Sequence, residues 1–183
     1  MRTVDLRSVA AARVDRRIDA IHVRAIRSTD AANLQRFYNG LSADSQRTRF
    51  LGFSAGLSGA QSVSFCTTDH GQREGFLAVV DVPGRREQIV GHLCLEPDGV
   101  NTAEVAIAVA DAFQHRGIGR RLMTAGVAWA RRERVDRLTA SMSAGNAPIH
   151  GLLVALGLPT REEYMGAGVA AMTIDLVDQN FAA

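Results

Sequence analysis

The chain contains no lysine: all 21 of its basic side chains are arginine, set against 19 carboxylates for a net charge of +2. A Walker A phosphate loop, which requires Gly-Lys-Ser/Thr, is therefore ruled out. So mild a charge also argues against a nucleic-acid partner, since duplex binding needs a concentrated basic surface. Cysteine is scarce as well. Cys66 and Cys94 stand in no C-x-x-C or Cys/His spacing, so they read as reduced thiols packed as small apolar groups, and both a disulfide and a metal site are argued against. No apolar run is long enough to span a bilayer, and the opening MRTVDLRSVAAARVDRRIDA is too broken by charge to hold a signal peptide's apolar region. A cytoplasmic protein without membrane contact is expected. Internal repeats and low-complexity segments are also lacking.

What remains suffices for one core. A chain of 183 residues that is 46% hydrophobic is most simply a single domain. That domain is expected over residues 21–176, with 1–20 as an arm or short helix and 177–183 as a tail.

The densest signal lies between Ala103 and Arg121, AEVAIAVADAFQHRGIGRR. Ala103 to Val109 is a run of small and β-branched residues that suits a strand buried on both faces, interrupted by one acid, Glu104. Gln114-His115-Arg116-Gly117-Ile118-Gly119 then brings two glycines to the start of a helical pattern carried by Ile118, Leu122, Ala125 and Trp129. Free backbone N–H groups at a helix N-terminus, with the positive end of its dipole, form a cradle for phosphate oxygens. Arg116, Arg120 and Arg121 add full charges. The glycine spacing is not that of a G-x-G-x-x-G dinucleotide fingerprint.

Gln114-x-x-Gly117-x-Gly119 resembles the Q/R-x-x-G-x-G/A signature of the GCN5-related N-acetyltransferases, whose loop binds the pyrophosphate of acetyl-CoA. The wider stretch is similar to bacterial, mycobacterial-type protein lysine acetyltransferase domains. The resemblance implies an α/β (α+β) acyl-CoA N-acyltransferase fold, a mixed, mainly antiparallel sheet flanked by helices. It implies acetyl-CoA as co-substrate, no metal, direct transfer to an amine on a protein lysine or a small molecule, and room for a homodimer. Glu104 stands where several protein-acetylating members carry their general base. Gln114, His115, Arg116, Gly117, Ile118, Gly119 and Arg120 would form the pyrophosphate loop. Ile107 and Val109 would offer backbone N–H groups to the thioester and pantetheine, and Asn146 would hold the pantetheine arm or simply cap a helix ahead of Pro148. LSADSQRTRFLG, residues 41–52, resembles the segment after the first helix in this subgroup. It would line the acceptor side of the cleft; alternatively Phe50 and Leu51 are ordinary core and the arginines a solvated face.

One departure bears on mechanism. In SAGNAPIHGLLVALGL, residues 143–158, Leu153 takes the place of the tyrosine that often protonates the departing CoA thiolate. His150 and Tyr164 are weaker candidates for that proton, and a non-catalytic acyl-CoA sensor is an alternative reading. Glu104, among apolar neighbours, is expected to be desolvated into a stronger base. Because the chain has no lysine, only its α-amino group is open to self-acetylation.

Elsewhere, Ile21 to Ile26 reads as a first strand, and Asp30 as the N-cap of a helix ended by Asn39-Gly40. A helix is expected over 57–70, strands over 75–81 and 88–95 around Pro83-Gly84, and a turn at Pro97-Asp98-Gly99. Arg137 to Met142 and two segments around Gly166-Ala167-Gly168 complete the strands.

Overall fold

The structure, a computed structural model, describes residues 21–52, 56–81 and 87–177. The expected arm, the Pro83-Gly84 turn and the tail beyond Val177 lie outside these residues. In chain order come β1 (Ile21–Ala25), α1 (Ala31–Asn39), α2 (Ala43–Phe50), α3 (Gly59–Cys66), β2 (Glu74–Val80), β3 (Gln88–Pro97) and β4 (Thr102–Val109). Then follow α4 (Ile118–Arg132), β5 (Arg137–Ser143), α5 (Ala147–Ala155), β6 (Thr160–Gly166) and β7 (Val169–Asp175). The strands form one sheet in the order β1-β2-β3-β4-β5-β7-β6. Every pairing is antiparallel except that of β4 with β5, so the sheet is mixed and mainly antiparallel.

Strand alternation divides the interior into two cores. Leu93 and Leu95 of β3 and Val105 of β4 pack beneath Leu122 and Trp129 of α4. On the opposite face, Leu77 and Val79 of β2 meet Leu34, Phe37 and Tyr38 of α1 and Cys66 of α3. A bulge separates the two patterns: Ala78 pairs with Gly91 but Val79 pairs with Ile89, leaving Val90 as the extra residue. Val90 accordingly joins the α4 core while Ile89 joins the other. Gly91 lets the first turn of α4 lie against β3, since an added Cβ would stand 2.9 Å from Leu122 Cδ1 and 3.2 Å from Ile118 Cγ2.

Three local expectations are corrected. β4 is buried on both faces only toward its end: Ala103 and Val105 are buried under α4 and Ala108 in the opposite core, but Glu104 is exposed and Ala106 only half-buried. Asp30 precedes α1 without capping it. Its carboxylate instead accepts from the Arg24 guanidinium at 2.8 and 2.9 Å and from the Arg27 N–H at 2.8 Å, tying β1 to the approach of α1. α3 is shorter than the expected 57–70. A Ser58/Gln61 capping box starts it, and beyond Cys66 the Asp69 carboxylate accepts the N–H groups of Gly71, Gln72 and Arg73, which holds that segment as a loop.

Candidate functional site

β4 and β5 pair only over Thr102–Arg137, Ala103–Leu138 and Glu104–Thr139, and then diverge. The orientation of the unpaired edge follows from one hydrogen bond. Ala110 donates its N–H to the Val90 carbonyl on the β3 side at 2.9 Å. By strand alternation the even-numbered residues of β4 address β3, so Ile107 and Val109 turn their backbone groups toward the opening. The Val109 carbonyl accepts from Gln114 Nε2 at 3.1 Å, which leaves the N–H as that residue's group for a ligand.

The opening continues into a cleft of about 850 Å³ bounded by α2, the end of β4, the loop into α4 and the start of α5. Every expected cofactor-side residue lines it except Arg116. The Arg116 guanidinium lies over the Phe113 ring, 5.8 Å from its centroid. Glu104 also stands outside the cleft lining, exposed, three residues or roughly 10 Å along the strand from Ile107, where the β4 lining begins. The apolar enclosure expected for its carboxyl is absent, because α4 covers only the other face of β4.

The loop into α4 is built for close approach to its backbone. His115 and the N-cap residue Gly117 both have positive φ, 59° and 76°. No side chain caps the helix at Gly117, so the leading N–H groups of α4 remain as donors. A Cβ on Gly117 would meet nothing within 4 Å, and one on Gly119 only ordinary contacts with Leu152 and Ile107 at 3.6 and 3.8 Å. Packing therefore demands neither glycine; the left-handed backbone favours one at Gly117, the absent side chains leave the helix N-terminus open, and the donor set fits a pyrophosphate. Arg120 adds charge at the same wall. Across the cleft, Asn146 is the N-cap of α5, its Oδ1 accepting from the Ile149 N–H at 3.4 Å ahead of Pro148. The capping oxygen is occupied, so the carboxamide N–H2 is what the side chain offers a ligand.

A polar tie not foreseen from sequence fixes α2 to this loop. Asp111 accepts from the Ser42 N–H at 2.9 Å, the Ser42 hydroxyl at 2.6 Å and the Ser45 hydroxyl at 2.7 Å, while Gln114 Nε2 also reaches Ser45 Oγ at 3.1 Å. Partial burial works against the Asp111 carboxylate, but the hydrogen bonds from Ser42 and Ser45 outweigh it and hold its pKa below the ordinary value. The signal was the L-S-x-x-S spacing, which puts both serines in the first turn of α2.

Behind α2 lies a buried polar cluster. The Tyr38 hydroxyl is 2.8 Å from His92 Nδ1. Burial, and then the Arg49 charge, push His92 down to about 3, and burial pushes Tyr38 up to about 12, so both are neutral near pH 7. Arg49 is no part of a solvated face: its guanidinium packs over the rings of Phe50, Phe65 and Tyr38, 5.2, 5.8 and 6.0 Å from their centroids. The candidate proton donors lie elsewhere. Leu153 is 2% exposed in the α4 core, His150 Nε2 pairs with Glu162 at 2.9 Å, and the Tyr164 hydroxyl accepts from the Gly168 N–H. None of the three lines the cleft.

A splayed β4/β5 pair feeding a glycine loop at a helix N-terminus, within this sheet order, defines an acyl-CoA N-acyltransferase. The comparisons agree. The family model described as "Acetyltransferase (GNAT) family" matches residues 44–158, and the chain belongs to that family as an acyltransferase. The GNAT domain of S. lividans PAT is 26% identical with a TM-score of 0.73, covering 85% of this chain and 90% of its own. yncA from Salmonella typhimurium, a putative acetyltransferase solved with its cofactor acetyl-CoA, is 17% identical with a TM-score of 0.65, covering 88% and 96%. A cAMP-binding acyltransferase from Mycobacterium smegmatis, 18% identical with a TM-score of 0.55, matches 86% of this chain but 44% of its own length. No curated protein matches. No helix among the described residues is long and apolar enough to cross a membrane.

Proposed function

We propose that residues 21–176 form a cytoplasmic acetyltransferase domain that moves the acetyl group of acetyl-CoA directly to a primary amine, with a protein lysine side chain preferred over a small-molecule amine. The observation that carries this reading is the open β4 edge, which aims the Ile107 and Val109 N–H groups beside an uncapped helix N-terminus. The resemblance of the Glu104 strand to that of protein-acetylating family members supports a protein acceptor, and yncA with its acetyl-CoA supports the donor.

Acetyl-CoA supplies the activated acyl group; this chain's residues do the rest. The α4 N-terminus and Arg120 hold the pyrophosphate, and the Asn146 N–H2 and the Val109 N–H hold the pantetheine arm. The Ile107 N–H stabilises negative charge developing on the carbonyl oxygen. Glu104 removes the proton that an ammonium must lose before its nitrogen can attack, acting through water from its exposed position. With Leu153 in the core, solvent protonates the thiolate. That same placement favours a second reading, a non-catalytic acyl-CoA sensor, because neither candidate acid, His150 or Tyr164, lines the cleft.

Free-CoA release across small amines and lysine-bearing proteins, with calorimetric CoA binding alongside, separates the two. Glu104→Gln should retain acetyl-CoA affinity and lose about 10²- to 10⁴-fold in turnover at neutral pH. Turnover should recover at higher pH as the acceptor, whose reference pKa is about 10.4 for lysine, deprotonates unaided. An unchanged rate removes Glu104 from the mechanism; tight binding without release on any acceptor favours the sensor.

A further inference from the structure

Arg49 projects from α2 into the wall of the cleft, and no described carboxylate ion-pairs with it. Its Nη2 donates to Cys94 Sγ at 3.3 Å, the Tyr38 hydroxyl is its other polar neighbour among the described residues, and its Nε is sealed from solvent with no acceptor. The titratable groups around it, Tyr38, His92 and Cys94, are all held neutral near pH 7 by burial. The other inward-turned arginines of the sheet are paired: Arg24 with Asp30 and Glu87, and Arg73 with Glu96. Among the described residues no carboxylate hydrogen-bonds to or ion-pairs with Arg49. Three aromatic faces, from Tyr38, Phe50 and Phe65, fix the guanidinium plane but supply no counter-charge. A cation in so apolar a setting is costly unless an anion meets it.

Its location identifies when that anion arrives. Cys94 pairs with Ala106 on β4 and its sulfur donates to the Ala106 carbonyl at 3.8 Å. Arg49 therefore stands over the β4 row between Glu104 and Ala108, at the end of the cleft remote from the glycine loop. Asp111, the acid on the neighbouring wall, is engaged by Ser42 and Ser45.

Resting on the acyltransferase reading, we propose that Arg49 recognises a carboxylate on one of the two reacting molecules, carried either by the acyl chain of the CoA thioester or by the acceptor amine. A planar guanidinium held by stacking presents its donors as a fork, which suits a carboxylate and not a neutral amide. Arg49 is thus a specificity-determining residue, distinct from the groups that bind CoA.

Binding tests this without requiring turnover. In the donor arm, succinyl-CoA and acetyl-CoA are titrated calorimetrically into the full chain. In the acceptor arm, a carboxylate-bearing amine and its amide, glycine and glycinamide, and then peptides with Asp or Asn beside lysine, are titrated into the CoA-saturated protein. One arm should favour the charged ligand by about 10- to 100-fold. Arg49→Met should abolish that preference and leave affinity for the neutral ligand within about threefold, while Arg49→Lys should keep part of it. Equal affinities in both arms for the wild-type chain overturn the proposal even if Arg49→Met fails to fold, as does an undiminished preference in a folded Arg49→Met. Loss of the acyltransferase reading has a different signature: acetyl-CoA itself would fail to bind, and both readings would fall.

Discussion

Leu153 bears on how the thiolate is protonated in the proposed reaction. It stands where the resemblance places the family's tyrosine, but it is buried against the α4 core and does not line the cleft. Restoring the aromatic there would add a ring and a hydroxyl to a filled interior. Leu153→Tyr should therefore lower stability by about 1–3 kcal/mol through overpacking, with no gain in acetyl transfer. A thermal melt beside a CoA-release assay checks both halves, and a faster, equally stable variant would mean the ring swings into the cleft after all. The residues that were legible in the sequence are those whose role is local. Gly117 and Gly119 announce a backbone made for close approach, and the structure gives them no packing reason to be glycine. Arg49 was not legible, because its burial is decided by rings from three different helices that only the tertiary fold assembles. Glu104 was legible as an acid in β4, but its exposure was not, since the core on its face of the sheet reaches Ala108 and stops short of Glu104, which depends on the tertiary fold.

Among the elements, the β2–β3 hairpin, β4 and α4 were readable because periodicity and turn residues are written within each segment. The attachment of α2 was not, because Ser42 and Asp111 lie 69 residues apart. That attachment carries a functional expectation. Asp111 takes three hydrogen bonds from the first turn of α2, and through Ser45 the same cluster reaches Gln114, whose amide also caps the Val109 carbonyl. Asp111→Ala should cost about 0.5–1.5 kcal/mol of stability through the lost hydrogen bonds, since the exposed donors turn to water. It should also weaken acetyl-CoA binding severalfold, as the loop loses its brace. Denaturant midpoints and calorimetric titration measure the two effects separately. A stability loss with affinity held within twofold would show that α2 rests on the loop without positioning it.

At the scale of the whole molecule, the buried polar face of the sheet sets how folding responds to acid. His92 is fully buried with a pKa near 3, whereas in the unfolded chain it titrates near 6.5. Between those values the unfolded chain binds a proton that the folded one refuses, so stability is present above pH 6.5 and is lost as pH falls through the window. The slope is at most about 1.4 kcal/mol per pH unit. Asp30 acts later. Burial opposes its ionisation, but the hydrogen bonds from Arg24 and Arg27 prevail and hold its pKa below the ordinary value. Its contribution is therefore intact above an unfolded pKa of about 3.9 and lost below it, as pH falls through the folded value. The two phases come from different strands, Asp30 through its Arg24 partner on β1 and His92 on β3, and are separable by mutation. Urea midpoints should decline steadily from pH 6.5 to 4.5 in the wild-type chain. In His92→Asn, which keeps a polar partner for Tyr38 but has no proton to take up, the decline over that range should flatten while the steeper loss below pH 4 persists. Midpoints that hold constant to pH 4.5 in the wild type, or fall equally in both proteins, would mean that the cavity around His92 admits the charged ring.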